Sequence, residues 1–307
     1  MNVFANSKRM WVSTCILFIT YLSHDEKNLF YVLILLLTFY SYSEQLSGII
    51  VDENHNPLPY STLRIKTRSI ASLVDSTGKF NMTIGIYDKT DTLNISYLGY
   101  RSLNKAIGEI IGQRSLVLEM APATTLLEEL VVLPEKTKIK TRKAGKKHSW
   151  AMMKSVIDGD VAGECFGYEF HAKPDKKYLL HKVGFYYCEE PSQMTKMKFR
   201  INVYDMSEVK KAPSSNFINI LPKPIYFDYV LTENLSGKFE YEIPFHIALP
   251  KDALVEIEFL ENLKDEYFWF RSNMFGKNTW NRTLVDGIWD KNPFATPFFV
   301  ECMEVDK

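Results

Sequence analysis

The chain has 307 residues, of which 46% are hydrophobic, 24% charged and 14% aromatic; this excludes a largely disordered or collagen-like polymer and leaves room for more than one core. Its 37 Lys and Arg residues balance 37 Asp and Glu residues, so no global field draws it to nucleic acid, and nucleic-acid binding is not expected. The four cysteines, Cys15, Cys165, Cys188 and Cys302, lack the close spacing of a CxxC metal or redox site.

Two apolar stretches open the sequence, Trp11 to Leu22 and Leu29 to Tyr40. Each is about a dozen residues long, whereas a bilayer-spanning helix needs about 20. The second has the secretory pattern: Lys27 precedes it, Leu29 to Leu37 form its apolar centre, and small residues follow at Ser41 and Ser43. Residues 1–43 are therefore expected to be a signal-peptide region cleaved after Ser43, the first stretch reflecting an over-extended start. Retention of both stretches as an anchor is the alternative. Either route leads to export, to the periplasm, outer membrane or cell surface, with peripheral or anchored membrane association.

Residues 45–120 form the first predicted domain. Leu46 to Asp52 reads as a strand, and Asp52 to Pro57 is dense in turn formers, so a hairpin is expected there. Tyr60 to Ile65 alternates in the strand manner, and the turn Asp75-Ser76-Thr77-Gly78 precedes Lys79 to Ile84, in which Phe80, Met82 and Ile84 share a face. Gly78 stands where a tight turn requires positive φ, and Asp75 is placed to bond the turn backbone. With Leu93 to Tyr97 and Ser115 to Met120, the segment reads as about six or seven short strands, a small β-sandwich.

The residues Gly48, Ile50, Val51 and Asp52, then Pro57-Leu58-Pro59, then Asp75, Gly78 and Phe80, then Leu93 to Tyr100, and finally Leu127 to Val132, resemble the carboxypeptidase regulatory-like domain of Bacteroidetes cell-envelope proteins. The resemblance covers about a quarter of the chain. It implies a transthyretin-like, or prealbumin-like, β-sandwich, the accessory module and not the zinc peptidase it accompanies elsewhere. A zinc peptidase needs three protein ligands beside an open metal position. The chain has no HExxH, and His24, His55, His148, His171, His181 and His246 are scattered, so no catalytic residue, metal or cofactor is expected.

Residues 121–148 read as a basic linker, because Lys136 to Lys147 is rich in like charges that repel and poor in residues to bury. Residues 149–307 form the second predicted domain. Trp150 to Val156 is the one expected helix. Beyond it Lys198 to Tyr204 sets Phe199, Ile201 and Val203 against Lys198, Arg200 and Asn202, and Lys238 to Ile243 and Leu254 to Phe259 repeat the alternation. Gly167 to His171, Tyr178 to Tyr187, Ile225 to Leu231, Tyr267 to Arg271 and Phe298 to Met303 complete about eight strands, each with one wet face that takes pairs such as Glu256 with Glu258. All-β architecture follows, with a jelly-roll-like sandwich after the transthyretin-like one.

Candidate ligand-binding residues cluster late: Trp269, Arg271, Trp280, Asn281 and Trp289. Aromatic faces beside amides and charged groups suit sugar rings, whose C–H faces stack while their hydroxyls hydrogen-bond. The competing reading makes Tyr267 to Arg271 a core strand and has the tryptophans plug the sandwich end. The expected function is a non-catalytic cell-envelope binding or adhesion protein that engages a glycan or an envelope protein. A structural component of an outer-membrane complex, or a hydrolase with an unrecognised site, are the alternatives.

Overall fold

The computed structural model describes residues 44–123, 140–145, 152–187, 196–207, 217–230, 237–273, 278–285, 287–292 and 298–306. The signal-peptide region, Cys188 and most of the expected linker lie outside them. The chain divides into two compact units, residues 1–44 with Thr83–Ile86, and Gln45–Met82 with Tyr87–Lys307. No helix among the described residues is long and apolar enough to cross a membrane.

Seven strands build the first sandwich: β1 (Glu44–Asp52), β2 (Thr62–Ile65), β3 (Ile70–Leu73), β4 (Lys79–Ile84), β5 (Thr92–Ser96), β6 (Leu103–Ala106) and β7 (Leu116–Met120), with one turn of helix, α1 (Ile107–Ile110), before the last. They form a three-stranded sheet, β4-β1-β7, in which β1 and β7 run parallel, and a four-stranded sheet, β3-β2-β5-β6. Alternate residues Phe80 and Met82, Leu93 and Ile95, and Leu116, Leu118 and Met120 are buried, as period two requires. The turn after β4's predecessor segment forms as its composition demands: Gly78 has φ +82°, and Asp75 Oδ1 accepts the backbone N–H groups of Thr77 and Lys79. The hairpin expected at Asp52 forms as a short one: Val51 pairs antiparallel with Pro57, the Asp52 N–H donates to the Asn56 carbonyl and the Leu58 N–H to the Ile50 carbonyl. Asp52 also accepts the N–H groups of Asn54 and Asn56, and past this return the chain passes to β2 in the opposite sheet, while β1 pairs along its length with β4 and β7.

The second sandwich contains β8 (Lys140–Gly145), β9 (Met152–Gly159), β10 (Cys165–His171), β11 (Lys176–Tyr187), β12 (Lys196–Asp205), β13 (Ile218–Asn219), β14 (Ile225–Val230), β15 (Gly237–Ala248), β16 (Asp252–Phe259), β17 (Leu263–Asn273), β18 (Thr279–Arg282), β19 (Trp289–Lys291) and β20 (Phe298–Asp306). One sheet carries the order β9-β17-β11-β15, with β20 also pairing β11 and β8 pairing β20. The other carries β10-β16-β12-β14, extended by β18 and β19 beyond β10. Consecutive strands switch sheets repeatedly, and the two orders together are those of a jelly roll. Phe166, Phe199, Ile201 and Ile257 from one sheet meet Leu180, Phe185, Phe268, Phe270 and Val300 from the other in a single core. Rings interlock across it, Phe166 with Phe270 at 5.2 Å and Phe185 with Phe199 at 5.8 Å. Burying each such side chain contributes about 1.5–3 kcal/mol.

Two segments depart from expectation. Met152–Gly159 is strand β9, not a helix, because it pairs antiparallel with β17 along Leu263–Asn273, and a sheet partner overrides local propensity. Lys140–Gly145, expected in the solvated linker, is strand β8 against β20. Its cations find partners there: Lys143 Nζ lies 2.9 Å from Glu301, and Arg142 stacks over the Phe170 and Tyr178 rings while bonding the Tyr178 hydroxyl.

Candidate functional site

The outward face of the β12-β16-β10-β18 sheet carries polar residues where a solvated surface was expected, yet they are buried. Cross-strand register explains their grouping. Arg200 stands opposite Glu258, Glu258 opposite Cys165, and Cys165 opposite Arg282, giving one row across four strands. The next row runs Asn202, Glu256, Gly167, Trp280. Glu256 and Glu258 are 1% and 0% exposed, so their assignment to a wet face is corrected: the first sandwich and an aromatic cluster cover that face.

Each carboxylate is ligated. Glu258 Oε2 accepts from Arg200 Nε at 2.9 Å and Asn202 Nδ2 at 2.9 Å, and lies 2.8 Å from Arg200 Nη2 in an ion pair. Glu256 Oε1 accepts from Arg282 Nη2 at 2.9 Å and Asn202 Nδ2 at 3.0 Å, and Glu256 Oε2 from Trp289 Nε1 at 2.7 Å. Burial opposes ionisation of Glu258, but the Arg200 and Arg282 guanidiniums outweigh it and hold its carboxyl below the usual range. Burial pushes the Cys165 thiol and the Tyr204 hydroxyl well up, so neither is an ionised nucleophile at neutral pH. Two polar atoms of the cluster have no hydrogen-bond partner, Glu258 Oε1 and Arg282 Nε.

Cys165, Glu256 and Glu258 bring ligand atoms within 4.8 Å of one another, the one such group among the described residues. The Arg282 guanidinium occupies its centre: Nη2 donates to Cys165 Sγ and Glu256 at 2.9 Å and lies 3.6 Å from Glu258. A cation is already supplied, and these residues do not fit a metal.

Above this floor opens a cleft of about 810 Å³. The first sandwich supplies one wall, including Arg64, Lys66, Tyr97 and Tyr100; Arg200, Asn202, Tyr204, Glu258, Arg282 and Trp289 form the floor, and Asn219 and His246 flank it. The walls are tied together by main-chain acceptors. Arg200 Nη1 donates to the Tyr60 carbonyl at 2.9 Å, and Arg64 Nε and Nη2 donate to the Leu284 carbonyl at 3.0 and 2.8 Å. Tyr60 holds φ +60°, a left-handed conformation costing a bulky residue about 1–2 kcal/mol, and it turns that carbonyl toward Arg200. Gly287, at φ +62°, leaves no room for a Cβ beside the Arg64 guanidinium.

The five candidates read from the sequence are not brought together. Trp280 and Trp289 meet in a buried cluster with Tyr204, Met206, Phe217 and Leu254; Trp280 Nε1 donates to Glu169, and Trp289 also borders the cleft. Asn281 is exposed between Trp280 and Arg282 on β18, and so belongs to the opposite face. Trp269 and Arg271 lie on β17, in the other sheet, alternating with core residues Phe268 and Phe270. The residues that matter more, Arg200, Asn202, Glu258 and Arg282, were hidden because their pairing depends on register, and the one available signal was opposite charge on two alternating strands.

The first module's identity is settled by comparison with protein families. Residues 46–132 match the CarboxypepD_reg-like domain. The match spans β1 to β7, so a regulatory-like domain is present in the first sandwich, while the jelly roll and the cleft floor lie outside it. No curated protein matches the chain. Among solved structures, similarity is found to those titled infectious bursal disease virus Gt strain (9% identity, 87% of this chain and 60% of that chain, TM-score 0.26) and Gx strain (10%, 87% and 61%, 0.26). The T=1 particles derived from the same virus are similar at 9% identity, with 86% and 61% coverage and a TM-score of 0.25. The chain spans about three fifths of the length of those viral chains, and likeness at this level carries no argument about fold or function.

Proposed function

We propose that this protein is a non-catalytic binding protein, that its ligand is a glycan held in the cleft between the regulatory-like sandwich and the jelly roll, and that it works in the cell envelope after export. The observation that carries the reading is the cleft of about 810 Å³ itself, whose lining sets the polar side chains of Ser102, Asn219 and His246 beside aromatic rings. A sugar hydroxyl both donates and accepts, and so suits hydroxyl, amide and imidazole groups together. Tyr97, Tyr100 and Trp289 add aromatic surface of the kind that stacks on the C–H faces of a pyranose. The chemistry of the floor favours holding over turning over. Glu256 is engaged through both oxygens, Glu258 is kept ionised by guanidiniums, and the Cys165 thiol is kept protonated.

A glycan array probed with the mature chain tests this, read alongside Trp289 fluorescence. Saturable binding without release of product, weakened at least about tenfold by Tyr100→Ala and unchanged by Trp269→Ala, supports the reading. Hydrolytic turnover of a bound glycan favours the hydrolase alternative, and a stable complex with an envelope protein that leaves the cleft open favours the assembly alternative.

A further inference from the structure

We infer that the cleft holds a subsite for a methyl group on a neutral sugar, carried as an acetamido or a 6-deoxy substituent; the inference rests on the glycan reading above. Leu98 of the first sandwich and Ile220 and Phe245 of the jelly roll all line the cleft, and all three pack, partly buried, against the jelly-roll core. Ile218, two residues before Ile220, lines it too and is 66% exposed, the one cleft residue among the described large hydrophobics left exposed. A hydroxyl pressed against these side chains loses its water and gains no bond in return, whereas a methyl group has no such cost and gains by leaving water. Asn219, between the two isoleucines, fixes the segment. Its Oδ1 accepts the Leu221 N–H at 3.1 Å, its Nδ2 donates to Asn202 Oδ1 at 3.1 Å, and the Ile220 N–H donates to the Val203 carbonyl at 2.8 Å. The aliphatic wall is therefore in place before a ligand arrives, which keeps the ordering cost of binding low. The buried charges of the floor are matched within the protein, Arg200 with Glu258 at 2.8 Å and Arg282 with Glu256 at 2.9 Å. A ligand above matched charges needs no charge of its own. A neutral ring with hydroxyls on one side and a methyl group on another meets both the polar and the aliphatic lining.

The test is calorimetric titration of the mature chain with two matched pairs: N-acetylglucosamine oligomers against glucose oligomers of the same linkage and length, and L-fucosides against the corresponding L-galactosides. The methyl-bearing member of at least one pair binds about fourfold tighter, the scale of one buried methyl group, and the pair that shows it identifies the source of the methyl. Salt at about 0.5 M leaves the ratio in place, because no charge is involved. Ile218→Ser, at an exposed position, brings the ratio below about twofold by removing aliphatic surface. Val117→Ser, a residue 63% exposed on β7 and outside the cleft, leaves the ratio unchanged. Equal binding within both pairs, tighter binding of the hydroxyl forms, a preference abolished by salt, or one that survives Ile218→Ser overturns the methyl subsite while glycan binding stands. So does failure of all four probes while other glycans bind. Failure of every glycan to bind overturns both.

Discussion

Glu258→Gln isolates the worth of one buried charge. The wild-type carboxylate is fully buried, accepts two hydrogen bonds through Oε2, lies 2.8 Å from Arg200 Nη2 and compensates Arg200 and Arg282, each 7% exposed. The amide keeps shape and one acceptor but leaves a positive charge uncompensated in a site with little water to screen it. Removing one partner of a buried pair costs about 3–5 kcal/mol, and the retained amide oxygen places this variant near the lower end, about 3 kcal/mol. For a chain of this size that corresponds to a fall in midpoint of roughly 6–12 °C by scanning calorimetry at pH 7. Glu240→Gln is the control: Glu240 is more than a third exposed and pairs only with surface cations, Lys238 on its own strand and Lys143 at 3.8 Å, so the change stays within about 1 kcal/mol. The pH dependence supplies a second reading. The folded carboxyl of Glu258 is depressed below 4.5, so its stabilisation is complete above that value and is lost as pH falls through the folded pKa. Wild type and Glu258→Gln therefore converge in acid. A loss below about 1 kcal/mol at pH 7, or a gap that does not close in acid, refutes the account of the cluster.

Asp91 is held down to about 2 by the Asp88 backbone N–H, the Thr67 hydroxyl and Arg68, so its contribution is complete above 3.8 and lost between 3.8 and about 2. Asp91→Asn should flatten urea midpoints across that window and leave the profile above pH 5 parallel to wild type. Gly78→Ala should destabilise by about 1–3 kcal/mol in urea denaturation, because φ +82° is strained for alanine and its Cβ meets Pro57.

Period two made much of the architecture legible. Phe199, Ile201 and Val203 are core, and Lys79–Ile84 has the bounds its alternation gives. The same rule says which residues share a face and nothing about what covers it, which is why Arg200, Asn202, Glu256 and Glu258 read as wet while they are buried. Likewise Asp52 has a turn former's chemistry and closes a short hairpin onto Pro57, but that the chain then crosses to the opposite sheet as β2 is decided by distant strands. Trp280 and Trp289 stood out as aromatic, and their location beside Glu169 and Glu256 depends on β18 and β19 extending the sheet past β10, a pairing no local pattern encodes.

Four buried charges need a reason beyond stability, since apolar residues of similar volume often replace buried ion pairs at no cost, or with a gain of about 1–4 kcal/mol. Arg200 suggests the reason: one guanidinium holds Glu258 on the floor and the Tyr60 carbonyl on the wall, so the charge that organises the floor also fixes the distance between the two sandwiches. Stability and binding then separate under the right substitution. The double variant Arg200→Met with Glu258→Met removes one positive and one negative charge together, and Arg282 retains Glu256 at 2.9 Å. Its unfolding free energy should lie within about 1 kcal/mol of wild type, unlike the single Glu258→Gln, while sugar affinity falls at least about tenfold because the wall loses its tie to the floor. A double variant as unstable as the single changes combined would make the cluster a structural joint. One that keeps full affinity would remove the floor from the binding site.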